Sequence, residues 1–571
     1  MKKIQTLILL LLFINFSSHC QSDLTFEGIP KERVFVHLNT TFLMSGETLL
    51  YTLYCINDQN NKLSELSKIV YIEIIDENKK AIFKQKIKLT EGVGYSDFFV
   101  TPDIQSGTYK LIAYTTLMRN TNSFFTNEIF IINPFHEDQS QVIDSTSTKI
   151  KNLSITKKND DANGQNRFLS LASQSDTFTS REKVSLKIST LLDKASYGTY
   201  SVSIKKLYPL DLPEKRTSTN DKLSSNNSAI SQKSNYFFVP EFRGELITGK
   251  VISKETNTPI SDLKIALSIP EKEPIFKISS TNDDGAFYFN INKDYENTIA
   301  VIQIIGDDTD ELEILIPEKR PLNYDQFLFS NKYIINQDQK NMLLSKSIKN
   351  QIENSYKSVK QDSIKENKNK SLFFGKIAKD YFLDDYKRFP TLRETFVEVI
   401  ENAWIAKKNG RRFLKIKRNL NAIDFELSTL LLVDGILIQD HEEIIAMDPK
   451  DIHKISIVRD QYIYGPHIFE GIISIETLDG NFRSMNKQTI QLEKPRQRKE
   501  YFSPTYTDTN DYNRIPDYRD QLLWNPMMKI NSKEVLIDFY TSDEKGTFEI
   551  SLEGFTHNGE PVSIKKLISV Q

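Results

Sequence analysis

Glu32-Arg33-Val34-Phe35-Val36-His37-Leu38 is the stretch on which the fold turns. Apolar and polar residues alternate from Arg33 to Leu38, which sets every second side chain on one face of a half-buried β-strand. Ile69-Val70-Tyr71-Ile72-Glu73-Ile74-Ile75 alternates in part. Asn57-Asp58-Gln59-Asn60-Asn61 and Asp76-Glu77-Asn78 punctuate these runs. Their short polar side chains hydrogen-bond nearby backbone and so favour turns. Short strands at this spacing predict a β-sandwich over residues 22–135.

Outward from it, residues 136–166 are rich in Ser, Asp, Lys and Asn and read as a linker. Residues 167–245 predict a second sandwich, with strands at Val184-Ser185-Leu186-Lys187-Ile188 and Tyr200-Ser201-Val202-Ser203-Ile204. Within it, Lys215 to Asn235 reads as a mobile loop. Residues 246–318 predict a third sandwich, in which the turn Asn282-Asp283-Asp284-Gly285 precedes the strand Ala286-Phe287-Tyr288-Phe289. Helical periodicity begins after residue 337. Leu344, Ile348, Ile352 and Tyr356 fall four apart and predict an amphipathic helix, packed by that stripe on its own domain, in a connector over 319–375. Residues 376–490 mix both periods, with a helix start at Pro390-Thr391 and strands at Leu430-Leu431-Leu432-Val433 and Gly471 to Thr477. Residues 491–571 read as a separate C-terminal β region.

At ~150 residues per domain, 571 residues suggest about four domains. Hydrophobic residues at 39% supply several cores and exclude wholesale disorder. A net charge of −2 gives no global field for nucleic acid. Two cysteines exclude a disulfide scaffold. Lys2 and Lys3, the apolar run Ile4 to Phe16, then Ser17 and Ser18 form a secretory signal over residues 1–20. Two cleavage readings stay open: a cut after Cys20, or lipidation of Cys20. No later apolar run approaches the ~20 residues of a helical span, so no such span is expected.

Three groups of residues resemble known families. Glu32 to His37, Phe42-Leu43-Met44-Ser45-Gly46-Glu47-Thr48, Ser67 to Glu73 and Ser106 to Thr115 resemble the second macroglobulin domain of α-macroglobulin-like envelope proteins. Gly249-Lys250-Val251 through Thr281, Gly285 and Phe287 looks like a carboxypeptidase-regulatory-like sandwich. Val433-Asp434-Gly435, Asp448 to Ile452, Ile455 to Val458, Tyr464-Gly465 and Gly471 to Thr477 resemble the plug of TonB-dependent transporters. A transporter barrel of about 22 strands needs roughly 200 residues or more, and 91 residues follow Gly480. The resemblance therefore implies a plug without a barrel in this chain. The fold class expected is mainly β and multidomain: tandem β-sandwiches, one α+β plug-like domain and an amphipathic helix.

The chemistry-bearing residues point away from catalysis. The chain has no Cys-Gly-Glu-Gln run for thioester trapping, no Gly-x-Ser-x-Gly elbow and no His-Glu-x-x-His helix. His441-Glu442-Glu443 lacks the second histidine of a zinc helix. His453 and His467 read as partly solvated, Cys55 as a core thiol, and Gly306 to Glu311 as a solvated loop. No catalytic residue, cofactor or metal ligand is expected. Candidate partner-contact residues are Asp434, Gly435, Tyr464 and Gly465 in the plug-like unit. Arg514, Asp517, Arg519 and Trp524 join them, because Trp, Tyr and Arg dominate binding hot spots; the competing reading is that Trp524 anchors the last β unit. The expected function is a non-enzymatic envelope scaffold, exported to the periplasm or outer membrane. It would partner an outer-membrane barrel or another envelope protein as part of an uptake or assembly complex. The alternative is a macroglobulin-like protease-interacting protein with a bait loop at residues 213–235.

Overall fold

The structure is a computed structural model. It describes residues 30–571 apart from 138, 140–141, 145–163, 222–236, 272, 307–308, 330–332, 334, 337–338, 365–373, 375–377, 409, 418–426, 484–487, 497 and 507–510. The signal segment expected at 1–20, Cys20 and most of the linker expected at 136–166 lie outside the described residues.

The chain begins with β1 (Glu32–Leu38), β2 (Phe42–Met44), β3 (Thr48–Asn57), β4 (Ile69–Ile75), β5 (Ala81–Lys88), β6 (Val93–Phe99), β7 (Gly107–Tyr114) and β8 (Phe125–Ile132). They form two sheets, ordered β1-β3-β6 and β2-β8-β7-β4-β5, packed face to face over Leu53, Val70, Ile72, Ile74 and Leu111. The alternation in β1 predicts one exposed face. Instead six of its seven residues are buried, because the outer face of its sheet packs on a second sandwich. Phe35 and Tyr54 meet Phe555 at 6.0 and 5.5 Å between ring centroids, and His37 meets Trp524 at 5.2 Å.

That second sandwich starts with β9 (Leu169–Ser173), β10 (Lys183–Thr190) and β11 (Gly198–Lys206). The third sandwich follows, with β12 (Glu245–Ser253), β13 (Lys264–Ile269), β14 (Ile275–Ser280), β15 (Ala286–Ile291), β16 (Ile299–Ile305) and β17 (Leu312–Leu315). Helix α1 spans Lys340–Ser355. The α+β unit comprises β18 (Lys379–Phe382), α2 (Leu392–Glu398), β19 (Ala403–Lys408), β20 (Arg411–Ile416), β21 (Leu430–Val433), β22 (Ile436–Leu437) and α3 (His441–Ile445). It continues through β23 (Ile452–Val458), β24 (Tyr462–Tyr464), β25 (His467–Phe469) and β26 (Ile472–Thr477). Its sheet runs β18-β23-β26-β21-β22 and is mixed: β21 lies parallel to β26 and β23 antiparallel. Thr391 caps α2 by accepting from the Glu394 N–H at 3.2 Å, as the Pro-Thr start predicts.

Two expected boundaries are corrected here. The strand β27 (Gln488–Gln491) leaves the α+β unit and pairs with β16 of the third sandwich. The last four strands, β28 (Gln521–Ile530), β29 (Glu534–Tyr540), β30 (Gly546–Thr556) and β31 (Pro561–Val570), are not a separate C-terminal region. They complete the second sandwich: β29 pairs with β10, and β28 and β30 flank β11 on its two edges. A lone β11 would leave both backbone edges unpaired, so residues 167–245 cannot close a sandwich by themselves. The mobile loop expected from Lys215 is also corrected over its described part. Ser218 and Asp221 are buried, Thr41 donates to the Pro213 carbonyl at 2.5 Å, and Asp221 pairs with Arg33 at 3.1 Å.

Candidate functional site

Of the four candidate contact residues of the α+β unit, Gly435, Tyr464 and Gly465 face the protein's own third sandwich, and Asp434 bonds within its own unit. Asp434 and Gly435 form the two-residue turn between β21 and β22, with φ of 46° and 83°. Asp434 is buried, and its carboxylate accepts from the Thr477 N–H at 2.8 Å, the Thr477 hydroxyl at 2.6 Å and the Phe482 N–H at 3.0 Å. A side chain at Gly435 would place its Cβ 1.9 Å from Cβ of Pro274, so the turn is seated against the third sandwich. Tyr464 stacks on Phe276 at 5.5 Å and donates its hydroxyl to the Phe276 carbonyl. Gly465 approaches the Ile278 carbonyl. Tyr464 packs against the apolar seam of Ala266, Phe276, Leu430, Leu432, Phe469 and Ile472.

Among the described residues, the histidines expected to be solvated lie against aromatic rings. His453 lies against Phe382 and His467 against Phe469. His441 is buried and accepts from the Leu414 N–H at 2.9 Å; burial lowers its pKa to about 4, so it stays neutral. His37 bridges the first two sandwiches, with Nδ1 2.6 Å from the Ser201 hydroxyl and Nε2 3.2 Å from that of Ser551. Burial, reinforced by Lys215 and Lys565, lowers its pKa well below 6.5. Cys55 is a buried free thiol whose pKa burial raises well above its usual value. Among the described residues no group of three or more His, Cys, Asp or Glu is placed to hold a metal ion.

The segment 514–524 lies at a junction. Arg514 is exposed. Arg519 donates to both oxygens of Asp517, at 2.7 and 2.8 Å. Trp524 is buried on β28 against His37. Together Arg519 and Trp524 line a cleft of about 380 Å³ where the first sandwich, the second sandwich and α1 meet.

The cleft is organised by Lys346, which the sequence places on the polar side of α1. Its ammonium pairs with Glu47 and with Asp520, the latter at 2.7 Å. Asp520 also receives Lys205 at 2.6 Å, and Tyr208 donates to it at 3.3 Å. Glu544 takes Lys206 and Lys349. Burial alone would lower the Lys346 pKa and raise that of Asp520. The opposed charges overcome it, holding the lysine well above and the aspartate well below its ordinary value. Lys346 is thus a permanent cation and a poor nucleophile. Gly46 lets the helix approach: with φ of 89°, an added Cβ would fall 2.8 Å from Nδ2 of Asn354. Asn350 and Asn354 then donate to the Ser45 and Gly46 carbonyls at 2.8 and 2.9 Å.

The packing of α1 reverses the expected face. Leu343, Lys346 and Ser347 are its buried residues, whereas Leu344 and Ile348 are 58% and 51% exposed. The ionic anchors turn Leu344 and Ile348 outward, while Ile352 and Tyr356 are half-buried. No one-dimensional signal marks Lys346, because its partners come from positions 47 and 520.

No family model and no curated protein sequence matches the chain. Among solved structures, the chain is similar to Escherichia coli alpha-2-macroglobulin activated by porcine elastase. The match is at 7% identity and a TM-score of 0.24, over 95% of this chain and 44% of that one. The native conformation of the E. coli protein gives 9% identity and a TM-score of 0.25, over 95% and 40%. Salmonella alpha-2-macroglobulin reacted with methylamine gives 9% and 0.24, over 94% and 39%. The chain spans less than half the length of these proteins. No helix among the described residues is long and apolar enough to cross a membrane.

Proposed function

We propose that this chain is a non-enzymatic binding and scaffold protein of the cell envelope. In this reading it is an accessory component of an outer-membrane uptake or assembly complex, and its protein partner docks on α1. The observation that carries the reading is the orientation of α1. Buried ion pairs and two asparagine bonds hold its polar face, while Leu344 and Ile348 point to solvent beside the cleft. A helix clamped this way cannot roll to hide its apolar stripe, which suits it to an amphipathic contact with another chain. The signal segment at 1–20 supports an envelope location, and a barrel protein or another envelope protein is the partner class. Crosslinking in intact cells followed by purification from detergent-solubilised membranes tests the proposal. Recovery with an outer-membrane protein is expected, and recovery as a lone periplasmic monomer contradicts it.

A second reading, a protease-interacting protein without a thioester, draws on the strap Pro213–Asp221. This strap crosses both sandwiches: Lys215 pairs with Glu549, Ser218 donates to Glu553, and Asp221 pairs with Arg33. Cleavage within 213–235 would then loosen the seam. Limited proteolysis followed by small-angle scattering decides this, since cleavage with no change of shape and no protease capture sinks it.

A further inference from the structure

The strap Pro213–Asp221 stitches the first two sandwiches together, and its seat on the second is a buried carboxyl group. On the first sandwich, Thr41 donates to the Pro213 carbonyl at 2.5 Å, the Arg216 N–H donates to Asn127 at 3.1 Å, and Asp221 pairs with Arg33 at 3.1 Å. On the second, Lys215 pairs with Glu549 at 2.8 Å and Ser218 lies on Glu553. Glu553 is 2% exposed. One of its oxygens accepts from the Ser563 hydroxyl at 2.7 Å. The other lies 2.9 Å from the Ser218 backbone nitrogen and 2.8 Å from the Ser218 hydroxyl. That hydroxyl is also 2.8 Å from the Val562 carbonyl oxygen. A hydroxyl carries one hydrogen, and a carbonyl oxygen can only accept. Both hydroxyl contacts are hydrogen bonds at once only when the carboxyl oxygen brings a hydrogen of its own. Glu553 then donates to the Ser218 hydroxyl, and Ser218 donates to Val562.

The charged groups around this seat are engaged elsewhere. Among the described residues no cation pairs with Glu553: Lys565 of β31 acts on it through space, but its ammonium lies 3.8 Å from Glu549, the acid that also takes Lys215. Arg33 is shared by Asp58 and Asp221, and Arg216 also acts on Asp221. From the first sandwich, Tyr54 donates to the Glu553 backbone carbonyl at 3.1 Å, and His37 reaches Ser201 and Ser551. Burial holds the histidine's pKa well below and the tyrosine's above its ordinary value, so neither brings a charge at neutral pH.

We propose that Glu553 is a proton-operated latch for the strap: as the acid it seats Ser218 on the second sandwich, and as the carboxylate it lets the strap lift. When the proton leaves to water, the single Ser218 hydrogen is contested by an anion and the Val562 carbonyl, and a charge stands unpaired in the seam. Lifting the strap admits water to the carboxylate and removes that cost. Burial raises the Glu553 pKa from 4.5 to about 7. The latch is therefore tightest in acid and loosens as pH rises to that value, with opening favoured roughly tenfold more at pH 8 than at pH 6. It needs no partner on α1.

Hydrogen exchange of the full chain tests it, read on peptides covering 213–221 and β11 and corrected for the intrinsic rate at each pH. Strap amides should lose roughly tenfold of their protection between pH 6 and pH 8, while staying less protected than β11 at both. Glu553→Gln, whose amide donates to the Ser218 hydroxyl as the acid does, should hold strap protection level across that range. Equal protection of the strap and β11 at each pH means that the strap opens only when the sandwich unfolds, and overturns the proposal. So does a wild-type strap whose protection does not change with pH, or a Glu553→Gln strap that loses as much as the wild type.

Discussion

Glu553 is a carboxylic acid buried where the strap at 213–221 crosses the second sandwich. Burial raises its pKa from 4.5 to about 7 despite hydrogen bonds from Ser218 and Ser563. Between those values the folded chain keeps a proton that the unfolded chain releases. This term therefore stabilises fully below the unfolded pKa and is lost as pH rises through about 7. Fully expressed, the loss is roughly 3 kcal/mol. Urea midpoints of Glu553→Gln should fall less between acid and neutral pH than those of the wild type; parallel profiles contradict this. Asp434 offers a second test. Asp434→Ala strands the Thr477 and Phe482 N–H groups and should cost about 2–3 kcal/mol in urea unfolding. Asp434→Asn, which tolerates the positive φ and keeps an acceptor, should cost less. The Asp-Gly turn itself was legible in the sequence. What it faces was not, because Pro274 lies some 160 residues away in the chain.

At the scale of elements, local patterns located strands well and assigned faces less well. The strand β1 and the Pro-Thr start of α2 follow from neighbouring residues, and the structure has both, although β1 is buried on both faces. The four-residue spacing of Leu344, Ile348, Ile352 and Tyr356 located α1 but not its buried face, since Leu344 and Ile348 are exposed and Ile352 and Tyr356 only half-buried. Which face a helix buries depends on what lies beneath it, and here that is Glu47 and Asp520. Lys346→Met leaves those two carboxylates without their shared cation and should cost about 3–5 kcal/mol. Leu344→Ser and Ile348→Ser should stay within about 0.5 kcal/mol. Thermal or urea unfolding distinguishes these outcomes, and a reversed order would mean that the helix packs by its apolar stripe.

At the scale of the whole molecule, the chain returns on itself. The second sandwich takes three long strands from before residue 207 and four from after residue 520. Sequence patterning marks β10 and β11 but carries no information on pairing across some 300 residues, so one sandwich reads as two regions, 167–245 and 491–571. A chain stopped after Gln491 should lose hydrogen-exchange protection across β9, β10 and β11 while keeping it in β21, β23 and β26; retained protection in β11 contradicts the pairing. The closed seam fixes α1 between two sandwiches, and its outward stripe is where the proposed partner docks. The deciding test is a photo-crosslinking amino acid placed at Ile348, compared in living cells with one at Leu536 of β29, which is also exposed. An adduct with an outer-membrane protein is expected from position 348 and none from 536. No adduct from 348, or the same adduct from both, contradicts it.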